Sequence, residues 1–125
     1  MINLYLLIGP AKSGKSHFLR QLGDDFSPLL YSEMDLKFKL WTSRFTKFYI
    51  DDFVPDEQIY LGEDEFAESL KRINEDGGTV KIKKFSDEKD FIKSDDITII
   101  FAMYEEDLLY LDPYIYINAK KIYIE

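Results

Sequence analysis

The first apolar segment of the chain, residues 2–8, is nearly continuous and closes on Gly9-Pro10. A run of that length bounded by turn residues predicts a buried strand of the parallel type. From Gly14 to Leu22 the period changes. Phe18, Leu19 and Leu22 share one face at helical spacing, and Gly23 stands where a helix stops. Pro28 to Ser32 reads as a second, short strand. Residues 34–43 fit either period: Leu36, Phe38 and Leu40 alternate with lysines, whereas Leu36 and Leu40 are also one helical turn apart. A helix or irregular segment is the favoured reading there.

Lys47 to Ile50 predicts another strand, closed by Asp51-Asp52 and followed by a break at Pro55. Asp64 to Glu75 is the clearest amphipathic helix. Phe66, Leu70 and Ile73 form its stripe, acids crowd its start, and Lys71 and Arg72 lie near its end, as the helix dipole prefers. Gly77-Gly78 ends it. Thr79 to Phe85 alternates with the strand period, and a short helix is expected over 87–93. Ile97 to Met103 predicts a buried strand. Tyr114 to Ile117 and Ile122 to Ile124 are expected to be two further short strands. Strands alternating with helices imply an α/β fold with a mainly parallel central sheet. No repeat or linker divides residues 1–125, so one domain is expected.

Composition narrows the chemistry. With 125 residues and 46% hydrophobic content, the chain can bury a core. It has no cysteine and one histidine, which excludes disulfides, thiolate metal sites and most metalloenzyme schemes. A net charge of −8 repels nucleic acid globally, so any such contact needs a local basic cluster. No segment approaches the length of a membrane span, and the N-terminus lacks the features of a signal peptide. A soluble, cytoplasmic protein is expected, with no membrane partner. Isoleucine occurs 14 times and alanine 4 times, a skew that hints at an AT-rich coding genome such as that of a phage, a virus or a low-GC bacterium.

Residues 9–16 read Gly-Pro-Ala-Lys-Ser-Gly-Lys-Ser, which fits the P-loop pattern G-x-x-x-x-G-K-[ST] between a predicted strand and a predicted helix. Glycines let the backbone curl so that successive amides face phosphate oxygens, and the helix that follows adds its positive end. Gly9, Pro10, Ala11, Lys12, Ser13, Gly14, Lys15, Ser16 and His17 are therefore the candidate ATP cradle. Lys15 would carry a cation to the β and γ phosphates, and the Ser16 hydroxyl would reach Mg²⁺.

The second constellation is Phe48-Tyr49-Ile50-Asp51-Asp52, a hydrophobic strand ending in acids. In P-loop ATPases such a strand presents the Mg²⁺-associated carboxylate beside the phosphates. Asp51 would take that role, and Asp52 would polarise the attacking water. Lys15 and Asp52 are thus the candidate catalytic pair, and Ser16 and Asp51 the candidate metal pair.

Outside these motifs Lys81, Lys83 and Lys84 form the densest basic cluster. They are the candidate nucleic-acid contacts, or else guard an edge strand. Arg44 and Arg72 are the candidates for an arginine finger; with Arg20 they complete the chain's three arginines. Tyr104, Tyr110, Tyr114, Tyr116 and Tyr123 could stack on bases or fill the core.

The P-loop followed by His17-Phe18-Leu19, and the strand end Ile50-Asp51-Asp52-Phe53, resemble bacterial replication-initiator ATPases of the DnaA, Hda and helicase-loader group within the AAA+ class. Residues 63–77 resemble the helix that follows in that group. The layout is also similar to viral superfamily 3 helicases, in which lysines placed like Lys81, Lys83 and Lys84 contact DNA. The resemblance implies a P-loop NTPase three-layer fold and ATP with Mg²⁺ as cofactors. It also implies a partner drawn from DNA, a replication protein or a second copy of the chain. In both families the sensor strand ends in a polar residue. Here the corresponding strands end in Lys83-Lys84-Phe85 or Ala102-Met103-Tyr104, and no helical lid domain is foreseen. A reduced, slow or partner-stimulated ATPase is expected. A nucleotide-binding adaptor without turnover and a small nucleotide kinase are the alternatives.

Overall fold

The computed structural model describes residues 2–29, 45–55, 65–75, 79–84, 87–92 and 96–124. Their order is β1 (Ile2–Ile8), α1 (Lys15–Gln21), β2 (Phe26–Pro28), β3 (Lys47–Ile50), α2 (Glu65–Glu75), β4 (Thr79–Lys84), β5 (Asp87–Ile92) and β6 (Ile97–Met103). A 3₁₀ turn (Glu105–Tyr110), α3 (Pro113–Asn118) and β7 (Ala119–Tyr123) follow.

Five strands form one sheet in the order β2-β3-β6-β1-β7. Every pairing in it is parallel, so the fold is α/β. Strand β1 lies between β6, where Ile8 is in register with Met103, and β7, where Ile8 is in register with Tyr123. Strand β3 flanks β6 on its other side, with Ile50 opposite Phe101.

The near-continuous apolar runs foreseen as parallel strands are buried on both faces of this sheet. Ile2, Leu4, Leu6 and Ile8 of β1 join Phe48, Ile50, Ile99, Phe101 and Met103 in one cluster, covered by Ala67 and Leu70 of α2 and Ile115 of α3. Leu7, Ile100 and Ala102 face the other way, against Leu19, Phe18 and Leu22 on and just after α1. Helices therefore cover both faces, which is why β1 and β6 lack the polar alternation of a half-solvated sheet. Each fully buried Leu, Ile, Phe or Met among them contributes about 1.5–3 kcal/mol of transfer free energy. Phe53 meets Phe101 edge-on with centroids 5.3 Å apart, sealing the core beneath the acidic strand end.

Four local expectations are corrected. Residues 87–92 are strand β5, not a helix, and pair antiparallel with β4 in a separate two-stranded sheet. The segment Asp-Glu-Lys-Asp-Phe-Ile has no helical apolar stripe, and the ladder with β4 supplies backbone partners that a lone short helix would lack. Residues 114–117 lie in helix α3, not a strand. Asp112 caps it, its carboxylate accepting from the Tyr114 amide at 2.9 Å, and Pro113 opens the first turn. The aromatic and β-branched content of that stretch favours strand, and the cap overrides it. Strand β7 consequently begins at Ala119, within the segment expected to connect two strands. Strand β2 begins at Phe26, two residues earlier than foreseen, and the expectations for residues 30–32 and 34–43 fall outside the described residues. Among the described residues no helix is long and apolar enough to cross a membrane.

Candidate functional site

Because β1, β3 and β6 run parallel and in register, their carboxyl ends converge on one edge of the sheet. That edge is where open α/β sheets place ligands. The loop after β1, the Asp51-Asp52 pair after β3 and Tyr104 after β6 all emerge there.

The loop is pinned at both ends. The Gly9 amide donates to the Met103 carbonyl at 3.3 Å, the Ser13 amide donates to Pro10 O at 3.2 Å, and the Phe18 amide closes the first helical bond onto Gly14 O at 2.8 Å. Lys12 (φ 62°) and Gly14 (φ 94°) both adopt the left-handed region, so the backbone curls rather than crossing directly into α1. Gly9 is required for a different reason. A Cβ there would lie 2.6 Å from Ser13 Oγ and 2.8 Å from the Ile124 carbonyl, and the latter cannot rotate away. Gly9→Ala is therefore expected to displace the loop and lower stability by about 1–3 kcal/mol. Thermal melts of the variant and the parent check this. A variant with unchanged melting would contradict the crowding.

Lys15 points back into the curl. Its ammonium donates to Gly9 O at 2.7 Å and Pro10 O at 2.8 Å, with Ser13 Oγ at 3.4 Å. It lies 4.4 Å from the centroid of the Tyr104 ring and is only 8% exposed. A buried ammonium needs such a complete set of acceptors, since its desolvation is otherwise costly. Ser16, next along α1, directs its hydroxyl to Asp51, 3.0 Å from Oδ2 and 3.2 Å from Oδ1. The two residues are 35 apart in sequence. Asp51 Oδ1 also accepts from the Asp52 amide at 2.9 Å. That contact belongs to the tight turn in which Asp52 takes φ 51°, a left-handed conformation aspartate tolerates better than most residues. Both aspartates are exposed, so solvent and ligand can reach their carboxylates.

The residues foreseen from spacing are therefore brought together in the main: Gly9 through Ser16 and Asp51-Asp52 occupy one sheet edge. Ala11 and Lys12 are exposed. His17 is exposed, and its Nε2 lies 3.0 Å from Gln21 Nε2, a turn further along α1. Arg20 donates to Ser16 O and holds α1 from outside. Lys81, Lys83 and Lys84 lie on β4, in the separate two-stranded sheet, and stand in register opposite Asp90, Glu88 and Asp87. Arg44 and the Arg72 side chain fall outside what is described. Among the tyrosines, Tyr114 packs on the core and receives the Asn74 amide at 2.9 Å, whereas Tyr116 and Tyr123 are exposed. The placement of Tyr104 against Lys15 went unforeseen. The available signal was the parallel pairing of β1 with β6, which sets the residue after one strand beside the residue after the other.

Among the described residues no group of three or more acidic or histidine side chains gathers as a metal cluster. The Ser16–Asp51 pair nonetheless fits Mg²⁺, which is held through one or two protein oxygens with the rest of its octahedron filled by phosphate and water. One hard carboxylate and one hydroxyl, already within hydrogen-bond distance of each other beside a cationic loop, match that donor set.

No protein-family model, curated protein or solved structure matches this chain.

Proposed function

We propose that the chain is a P-loop NTPase that binds ATP with Mg²⁺ and hydrolyses it slowly or under stimulation by a partner in nucleic-acid metabolism. The observation that carries the reading is the convergence of Lys15, Ser16 and Asp51, the last two 3.0 Å apart across 35 residues of sequence. In this reading the curl from Gly9 to Gly14 surrounds the phosphate tail, and Lys15 supplies the positive charge that binds the terminal phosphates. Ser16 and Asp51 hold Mg²⁺, which when bound neutralises developing charge on the phosphate oxygens. Asp52 accepts a proton from water as the water oxygen attacks the γ-phosphorus, and the bond to the β–γ bridging oxygen breaks to release ADP and phosphate. ATP is preferred to GTP because no Asn-Lys-x-Asp stretch is present for guanine.

The test combines binding with turnover. ATP titrated by calorimetry in Mg²⁺ should bind, and phosphate release should be slow alone and rise with DNA or with protein concentration. Asp52→Asn should retain ATP within about threefold while phosphate release falls about 10²- to 10⁴-fold. Asparagine is the informative substitution because it also tolerates the left-handed backbone at this position. Tight Mg-ATP binding without turnover in the parent protein would favour the adaptor reading. Turnover only with a nucleoside monophosphate present would favour the kinase.

A further inference from the structure

We propose that Tyr104 sets the affinity of the phosphate site by covering the Lys15 ammonium until a polyphosphate displaces it. The inference rests on the nucleotide reading above and adds to it a residue that no motif contains. An ammonium has three N–H donors and no acceptor. In Lys15 these donors are directed at Gly9 O, Pro10 O and Ser13 Oγ, and the aromatic face of Tyr104 stands 4.4 Å from the nitrogen. The charge is thereby satisfied without a ligand.

Backbone geometry fixes the ring's position. The Met103 carbonyl accepts from Gly9, the Tyr104 carbonyl accepts from the Asp107 amide at 3.1 Å, and the Ala102 carbonyl accepts from the Phe53 amide at 2.9 Å. The main chain on both sides of Tyr104 is thus tied to the loop, to the acidic strand end and to the 3₁₀ turn. The half-buried side chain is the part free to rotate. An aromatic face carries negative quadrupole density, so it attracts the ammonium and repels phosphate oxygens. Ring and phosphate compete for the same cation, and the stabilisation the ring gives the empty site is subtracted from nucleotide affinity.

Three variants of the full chain separate the contributions. Tyr104→Ala should lower the Kd for Mg-ATP about 3- to 30-fold, the factor expected for losing a cation–π contact of ordinary strength. Tyr104→Phe keeps the ring and should bind like the parent. Tyr104→Leu keeps bulk without the quadrupole and should bind like Tyr104→Ala. A readout without nucleotide accompanies these. In ¹³C-lysine-labelled protein the ε-methylene protons of Lys15 should be shifted upfield by the ring in the parent and in Tyr104→Phe. The shift should be absent in Tyr104→Ala and lost on saturation with Mg-ATP. Binding that is unchanged or weaker in Tyr104→Ala, or an upfield shift that persists at saturation, overturns the role of Tyr104 and leaves the nucleotide site standing. Failure of every form to bind ATP overturns the nucleotide site, and this inference with it.

Discussion

Lys15→Ala is expected to reduce ATP affinity by more than about 100-fold, to the point where calorimetry detects no binding. The expectation follows from where the ammonium sits. It is the charge held at the centre of the curl, ringed by the carbonyls that also shape the loop. Without it, phosphate oxygens would meet those carbonyl dipoles with nothing to offset the repulsion. Removing the side chain also deprives the buried Gly9 carbonyl of its ammonium donor, so a stability loss of about 1–3 kcal/mol should accompany the binding defect. Melting curves establish that the variant is folded at the titration temperature. Unchanged affinity in a folded variant would refute the assignment of the loop.

Asp51→Asn should uncouple nucleotide from metal. In the parent, Mg²⁺ is expected to strengthen ATP binding at least about tenfold, because the Asp51 carboxylate and Ser16 hydroxyl supply hard oxygens to the ion. Asparagine keeps an acceptor for Ser16 and for the Asp52 amide but removes the charge. Affinity in Mg²⁺ should then fall to within about twofold of affinity in EDTA, and phosphate release should drop below detection. Because Asp51 is exposed, melting should move by less than about 0.5 kcal/mol in stability. A retained Mg²⁺ effect would place the ion elsewhere. Measured together, the two variants separate loss of the phosphate grip from loss of the metal grip.

The elements that build this edge were legible because each carries a strong local signal. The runs at residues 2–8 and 97–103 are nearly continuous in apolar residues and read as interior strands. Gly9, Gly14, Lys15 and Ser16 keep the fixed spacing of the P-loop pattern, which can be read without any structure. Asp51 follows an apolar strand directly, and the structure sets it on Ser16. What was illegible depended on partners distant in sequence. Residues 87–92 took their conformation from β4, and a charged hexapeptide offers little of its own to decide between helix and strand. Residues 113–118 were settled by one capping carboxylate against the β-favouring content of Tyr-Ile-Tyr-Ile. Tyr104 read as one tyrosine among nine, because its place beside Lys15 is set by register rather than by pattern.

The placement of β1 between β6 and β7 has a consequence for synthesis. Strand β1 is made before both of its lateral neighbours, which lie roughly a hundred residues further along the chain. Until residues 97–123 emerge, Leu4, Leu6 and Leu7 have no ladder on either side. Such distant pairings close slowly and leave an apolar edge bare in the meantime. The sheet would therefore close around β1 only once both neighbours have been made, and a holdase that shields the β1 segment in the meantime should raise the yield.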